Sequence, residues 1–163
     1  MIDAELARAV SLRESGALDE ARDLLLRLSS AAPDDARVAY QTAWVHDRLG
    51  LEAEAVPFYV RALDGSSLTA DERRGVFLGL GSTYRTLGRY AEAVNVLSRG
   101  ATEFPDDRAL AVFLAMARYN TGDAKAAVAG LLTLLADTTA DPEIQRYRRA
   151  IELYAADLDR VWS

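Results

Sequence analysis

The side chains of this sequence that could do chemistry are few and scattered. His46 is the sole histidine and stands in the stretch Trp44-Val45-His46-Asp47. An imidazole can act as a general base or a metal ligand, but either role needs further groups held within reach. No cysteine is present, which removes thiolate nucleophiles, disulfides and soft metal sites. No serine has a nucleophile-elbow sequence around it. His46 is therefore read as a partly buried structural residue facing a sister helix. The stretch GLGSTYRTLG from Gly79 has the glycine density of a phosphate loop. It lacks the closing Gly-Lys, and no strand pattern precedes it. Glu52 and Glu54 read as the solvated first turn of a helix, where negative charge is favoured. These residues give no catalytic, cofactor-binding or metal-binding constellation, and enzyme activity is not expected.

Bulk properties narrow the class further. The chain has 163 residues, half of them apolar, enough for one ordered domain with a core. Its net charge of −6 and pI near 4.8 oppose nucleic acid as the main ligand, which would need a basic face. The start, MIDAELARAV, lacks a basic segment followed by an apolar run, and no stretch reaches the roughly 18 residues of a membrane span. A cytoplasmic location with no membrane partner is the expectation.

The elements that must position everything else come from one repeated phrase. GALDEAR begins at residue 16, GLEAEAV at 50, GRYAEAV at 88 and GDAKAAV at 122. The glycines are 34, 38 and 34 residues apart, the spacing of stacked helical hairpins. Each glycine stands between two helical patterns, where the chain needs a positive φ. Five residues later comes alanine every time: Ala21, Ala55, Ala93 and Ala127. Seven residues earlier stand Ala9, Ala43, Gly81 and Ala115, so the two helices are expected to cross closely there. Nine residues after each glycine comes a large apolar residue, Leu25, Tyr59, Leu97 or Leu131, placed to pack on the next hairpin.

Stops and starts agree with this frame. APDD (32–35) and FPDD (104–107) end second helices, with aspartates to cap the next. The junction DGSSLTADE is longer. Thr69 and Glu72 there form a capping-box pattern that starts the following helix about one turn early. Pro57 falls inside a predicted helix and should bend it. Gly75 and Gly79 fit either loose helix packing or a close partner contact. Asp141-Pro142-Glu143 opens a last helix with an apolar stripe of Ile144, Tyr147, Ile151, Tyr154, Leu158 and Val161.

The pattern resembles the tetratricopeptide repeat family. The third unit carries the likeness best, through Phe77, Leu80, Gly81, Tyr84, Gly88, Tyr90, Ala93, Leu97 and Pro105. His46 and Arg118 replace an aromatic in other units. The likeness runs over about residues 2–139 and is nearest to short free-standing bacterial members. It implies an all-α, right-handed α-α superhelix of four hairpins plus a C-terminal capping helix, within one domain spanning 1–163. The repeats would be about 2–35, 36–69, 74–107 and 108–141, and the terminal helix about 142–162.

The resemblance also implies where a partner would bind. In the family the first helices line a concave groove that holds a protein or peptide segment. The positions that match here are Arg13, Tyr40, Trp44, Arg48, Leu78, Ser82, Arg85, Met116 and Tyr119, with Leu6, Val10, Asp47 and Val112 beside them. Apolar Leu6, Val10 and Trp44 occupy places where the family's chaperone-tail clamp wants polar groups. The implied function is a protein- or peptide-binding adaptor, with the arginines favouring a ligand that carries an acidic group. The alternative reading is a structural module that forms a homodimer through the groove or the C-terminal helix. Trp44 is either the binding anchor or a residue packed between units.

Overall fold

The computed structural model describes residues 1–161, and among these all regular structure is α-helical. Ten helices run in order: α1 (Ile2–Glu14), α2 (Leu18–Ala31), α3 (Ala36–Arg48), α4 (Glu52–Asp64), α5 (Ala70–Thr86), α6 (Tyr90–Glu103), α7 (Arg108–Asn120), α8 (Ala124–Thr138), α9 (Pro142–Arg146) and α10 (Arg148–Ala156). They fall into two compact units. Met1–Arg89 holds α1 to α5, and α6 to α10 follow from Tyr90.

In the first unit α1 packs on α2, α2 on α3, α3 on α4 and α4 on α5. In the second, α6 packs on α7, α7 on α8, and α8 on α10. Short connections between antiparallel neighbours leave little freedom for another order.

The repeated glycine does the same work four times. Gly16, Gly50, Gly88 and Gly122 have φ of 88°, 72°, 73° and 87°, and no other described residue has a positive φ. The next residue then donates its N–H back into the helix just ended. Ala17 reaches Leu12 O at 2.9 Å, Leu51 His46 O at 2.9 Å, Arg89 Tyr84 O at 2.8 Å, and Asp123 Arg118 O at 2.9 Å. This closure satisfies a carbonyl the helix end would otherwise orphan. The small residues at the expected crossings, Ala9, Ala21, Ala43, Ala55, Ala115 and Ala127, are buried.

Helix starts follow the aspartates. Asp35 accepts from the N–H of Arg37 and Val38, Asp107 from Leu110, and Asp123 from Ala126. Thr69 and Glu72 form the reciprocal capping box, and α5 is the longest helix at 17 residues. Pro57 lies inside α4. The terminal segment differs from the single helix expected over 142–162. Tyr147, at φ −103° and ψ 11°, interrupts it between α9 and α10, and α10 ends at Ala156. Residue 162 lies outside the described residues.

The two unexplained glycines have a packing reason. A Cβ on Gly79 would lie 2.5 Å from the Tyr59 hydroxyl and 2.6 Å from its Cζ, and one on Gly75 would come even closer to the Tyr40 hydroxyl. Bare backbone on α5 is what lets two tyrosines from α3 and α4 enter.

Candidate protein-binding face

On α3, residues 40, 44 and 47–48 recur at four- and three-residue spacing and share one face. The cap at Asp35 fixes where that face begins. α1 contributes Arg13 and α5 contributes Leu78, Ser82 and Arg85, all within the first unit.

Trp44 is the centre of this group. The Arg13 guanidinium carbon lies 3.5 Å from the centroid of its ring. Tyr40 stacks on it with centroids 5.5 Å apart and planes at 25°. Trp44 is half-buried. Tyr40, expected on the groove surface, is only 7% exposed and stands as a wall beside Trp44, its hydroxyl against Gly75.

Arg13 is 4% exposed, far more buried than an arginine at a groove rim would be. Its ion-pair contact is Glu14, at 3.6 Å, and its Nε has no hydrogen-bond partner. Burial lowers its pKa from the ordinary guanidinium value. The neighbouring Arg48 charge pushes the same way, and Glu14 opposes both. Arg48 itself is exposed, and among the described residues it has no ion-pair partner. Two guanidinium groups thus share one region around an aromatic ring, with weak local compensation. A carboxylate arriving there would gain charge-assisted hydrogen bonds and relieve the repulsion.

Asp47 does different work. Tyr59 Oη donates to Asp47 Oδ2 at 2.7 Å, and Thr83 Oγ1 lies 2.9 Å from both carboxylate oxygens. It ties α3 to α4 and α5 in the interior of the unit. Burial pushes its carboxyl up from the usual range, while the Tyr59 and Thr83 hydrogen bonds pull it down. Sequence reading placed Asp47 beside the groove but missed this network. A lone aspartate carries no signal for partners 12 and 36 residues away. Gln41 was missed too: it is buried, with Oε1 lacking a hydrogen bond.

Leu78, Ser82 and Arg85 are half-buried on α5. In the second unit, Met116 is half-buried on α7 and Tyr119 is 68% exposed. His46 is buried, with Nδ1 2.7 Å from the Thr42 carbonyl and its ring stacked 5.3 Å from Phe58, as a structural histidine should be. Among the described residues no three His, Cys, Asp or Glu side chains gather to hold a metal. None of the described helices is long and apolar enough to cross a membrane.

Stacked helical hairpins with glycine turns, small crossing residues and an aromatic-basic face define a helical-repeat protein. The family described as Tetratrico peptide repeat matches residues 36–158, and the chain belongs to that family. Among solved structures, the P212121 form of MamA AMB-1 superposes with a TM-score of 0.74. That match covers 90% of this chain and 78% of that one at 21% identity. The C2221 form gives 0.70 over 80% and 75%, again at 21% identity. At such identities the likeness is one of fold. No curated protein sequence matches the chain.

Proposed function

We propose that this protein is a non-catalytic adaptor that binds a protein or peptide segment along the face of its first helices. The observation that carries this reading is the Arg13–Trp44–Arg48 group. A buried guanidinium stacked on a half-buried tryptophan, with a second, exposed guanidinium nearby, suits an apolar side chain followed by an acidic one. Tryptophan and arginine are also the residues that most often dominate interface energies. Leu78, Ser82 and Arg85 extend the same kind of surface on α5. In the second unit Met116 and Tyr119 are assigned to partner contact as well.

The preference for acid is electrostatic, so affinity falls as salt rises. The test is capture from the source lysate on immobilised chain, run in parallel with Arg48→Glu. Arg48 is exposed and has no ion-pair partner among the described residues, and a circular dichroism melt of the variant establishes that it folds. A partner retained by the native chain and lost on Arg48→Glu supports the reading. An unchanged set of bound proteins defeats it.

A further inference from the structure

The repeat provides its own internal control for what should be covered. Nine residues after each turn glycine stand Leu25, Tyr59, Leu97 and Leu131. The first three are 0%, 2% and 0% exposed, but Leu131 is 42% exposed. Four residues further on, Leu63 is 7% exposed and its equivalent Leu135 is 40%. Val56 is buried, and its equivalent Val128 is exposed. One stripe of α8, Val128–Leu131–Leu135, therefore lacks the cover its counterparts have.

The missing cover has a known form. α2 is covered by α3, α4 by α5 and α6 by α7, helices of 13, 17 and 13 residues. Against α8 packs α10, which has 9 residues. It buries Ala155 but leaves Leu153 and Tyr154 exposed, and Tyr147 before it is exposed too. Stacked repeats need a polar outer face at each end to stay soluble. α1, in the first unit, has one. The positions of α1 equivalent to buried Val38, Ala39, Thr42 and Val45 are Ala4, Glu5, Arg8 and Ser11, all exposed. That face of α1 is therefore largely polar and offers no apolar cover of the kind α8 lacks.

We propose that the α8–α10 face is closed by the same face of a second copy, giving a two-fold dimer. Charge supports that occupant. Arg148 and Arg149 begin α10 and Asp157 caps its end, with Asp159 two residues on, while Glu143 and Arg160 lie outside these on either side. Two α10 helices packed antiparallel about Leu153 set each basic start beside the acidic end of the other. Arg149 and Asp157 lie equally far from Leu153 on either side, so each Arg149 meets the partner's Asp157. Arg149 is exposed and has no ion-pair partner among the described residues. The surrounding charges are largely balanced locally, with Lys125 at 3.1 Å from Asp157 and 2.8 Å from Asp159, and Arg148 at 2.7 Å from Asp137. This face therefore does not repel its copy, although the chain as a whole carries −6. An isologous contact uses one patch twice and closes at two subunits.

The test is sedimentation equilibrium of the full chain over a concentration series. The native protein is dimeric in the micromolar range, and both Leu153→Arg and Leu131→Glu raise the dimer dissociation constant by at least about tenfold. Circular dichroism melts of each variant establish that it folds. Arg149→Asp weakens the dimer by placing like charges opposite one another, and Arg149→Asp/Asp157→Arg restores it. Trp44→Ala dimerises as the native chain does, which separates this contact from the proposed binding face. A native chain that stays monomeric through about 100 μM overturns the proposal, because that concentration corresponds to under 6 kcal/mol of association. So does a dimer indifferent to Leu153→Arg and Leu131→Glu, an open-ended assembly, or a charge swap no better than Arg149→Asp alone.

Discussion

Gly79→Ala reverses the usual effect of that substitution, and the structure says by how much. In an ordinary helix interior, alanine for glycine stabilises by about 1 kcal/mol. Gly79 lies within α5, so propensity alone predicts a gain. The new methyl carbon would lie 2.5 Å from Tyr59 Oη, 2.6 Å from Cζ and 2.8 Å from a ring carbon. The ring is rigid and buried, and its hydroxyl is tied to Asp47 at 2.7 Å. Overpacking of this kind costs about 1 to 3 kcal/mol. Moving the ring also loosens a hydrogen bond to a charged group, worth about 1.5 to 3 kcal/mol. After the propensity gain is subtracted, the expected net loss is about 1.5 to 5 kcal/mol. The assay is urea unfolding followed by circular dichroism, with Gly130→Ala as control. Gly130 lies inside α8 with nothing within 4 Å of its would-be Cβ, so that variant gains up to about 1 kcal/mol. A Gly79→Ala protein as stable as the control would refute the account of why α5 carries its glycines.

Trp44→Ala removes a stacked aromatic pair and a cation–π contact, and is expected to cost about 2 kcal/mol of stability, read from the same unfolding curves. Trp44→Phe keeps most of it. The pH dependence of Asp47 has a definite sign. Its folded pKa is raised, so the folded state holds the proton more tightly than the unfolded one. Its contribution to stability falls as pH rises from about 3.9, the unfolded value, through the raised folded pKa, and is flat above that. Native stability relative to Asp47→Asn should therefore decline across that window; a constant difference would contradict the burial argument. Removing residues 142–163 uncovers more of α8 and should lower the melting temperature or cause aggregation, as light scattering would show.

Much of the architecture was legible because each repeat repeats its reasons. Turn glycines and aspartate caps act locally, within one or two helical turns, and took the roles their spacing implied, as did the small residues Ala9, Ala21, Ala43, Ala55, Ala115 and Ala127. The long α5 was readable from Thr69 and Glu72 for the same cause. What local pattern could not carry was contact over distance. Gly75 and Gly79 make sense only once Tyr40 and Tyr59 are known to press on them from other helices. Arg13 was placed on the groove face, and nothing in α1 announces that its guanidinium will be buried against the Trp44 ring. The tail stripe was legible as apolar but not as split. Ile144, Ile151 and Ala155 turn inward to differing degrees while Tyr147 and Tyr154 stay exposed, because the helix breaks at Tyr147.

The central claim is that a partner docks on Trp44 between Arg13 and Arg48. The chain has two tryptophans, so a Trp162→Phe protein reports on Trp44 alone. The direct measurement is its fluorescence during titration with a partner segment that the native chain captures and Arg48→Glu does not. The account predicts a saturable change in Trp44 emission, with an apparent affinity that weakens as salt is raised. Binding confirmed by calorimetry while Trp44 emission stays constant would contradict it.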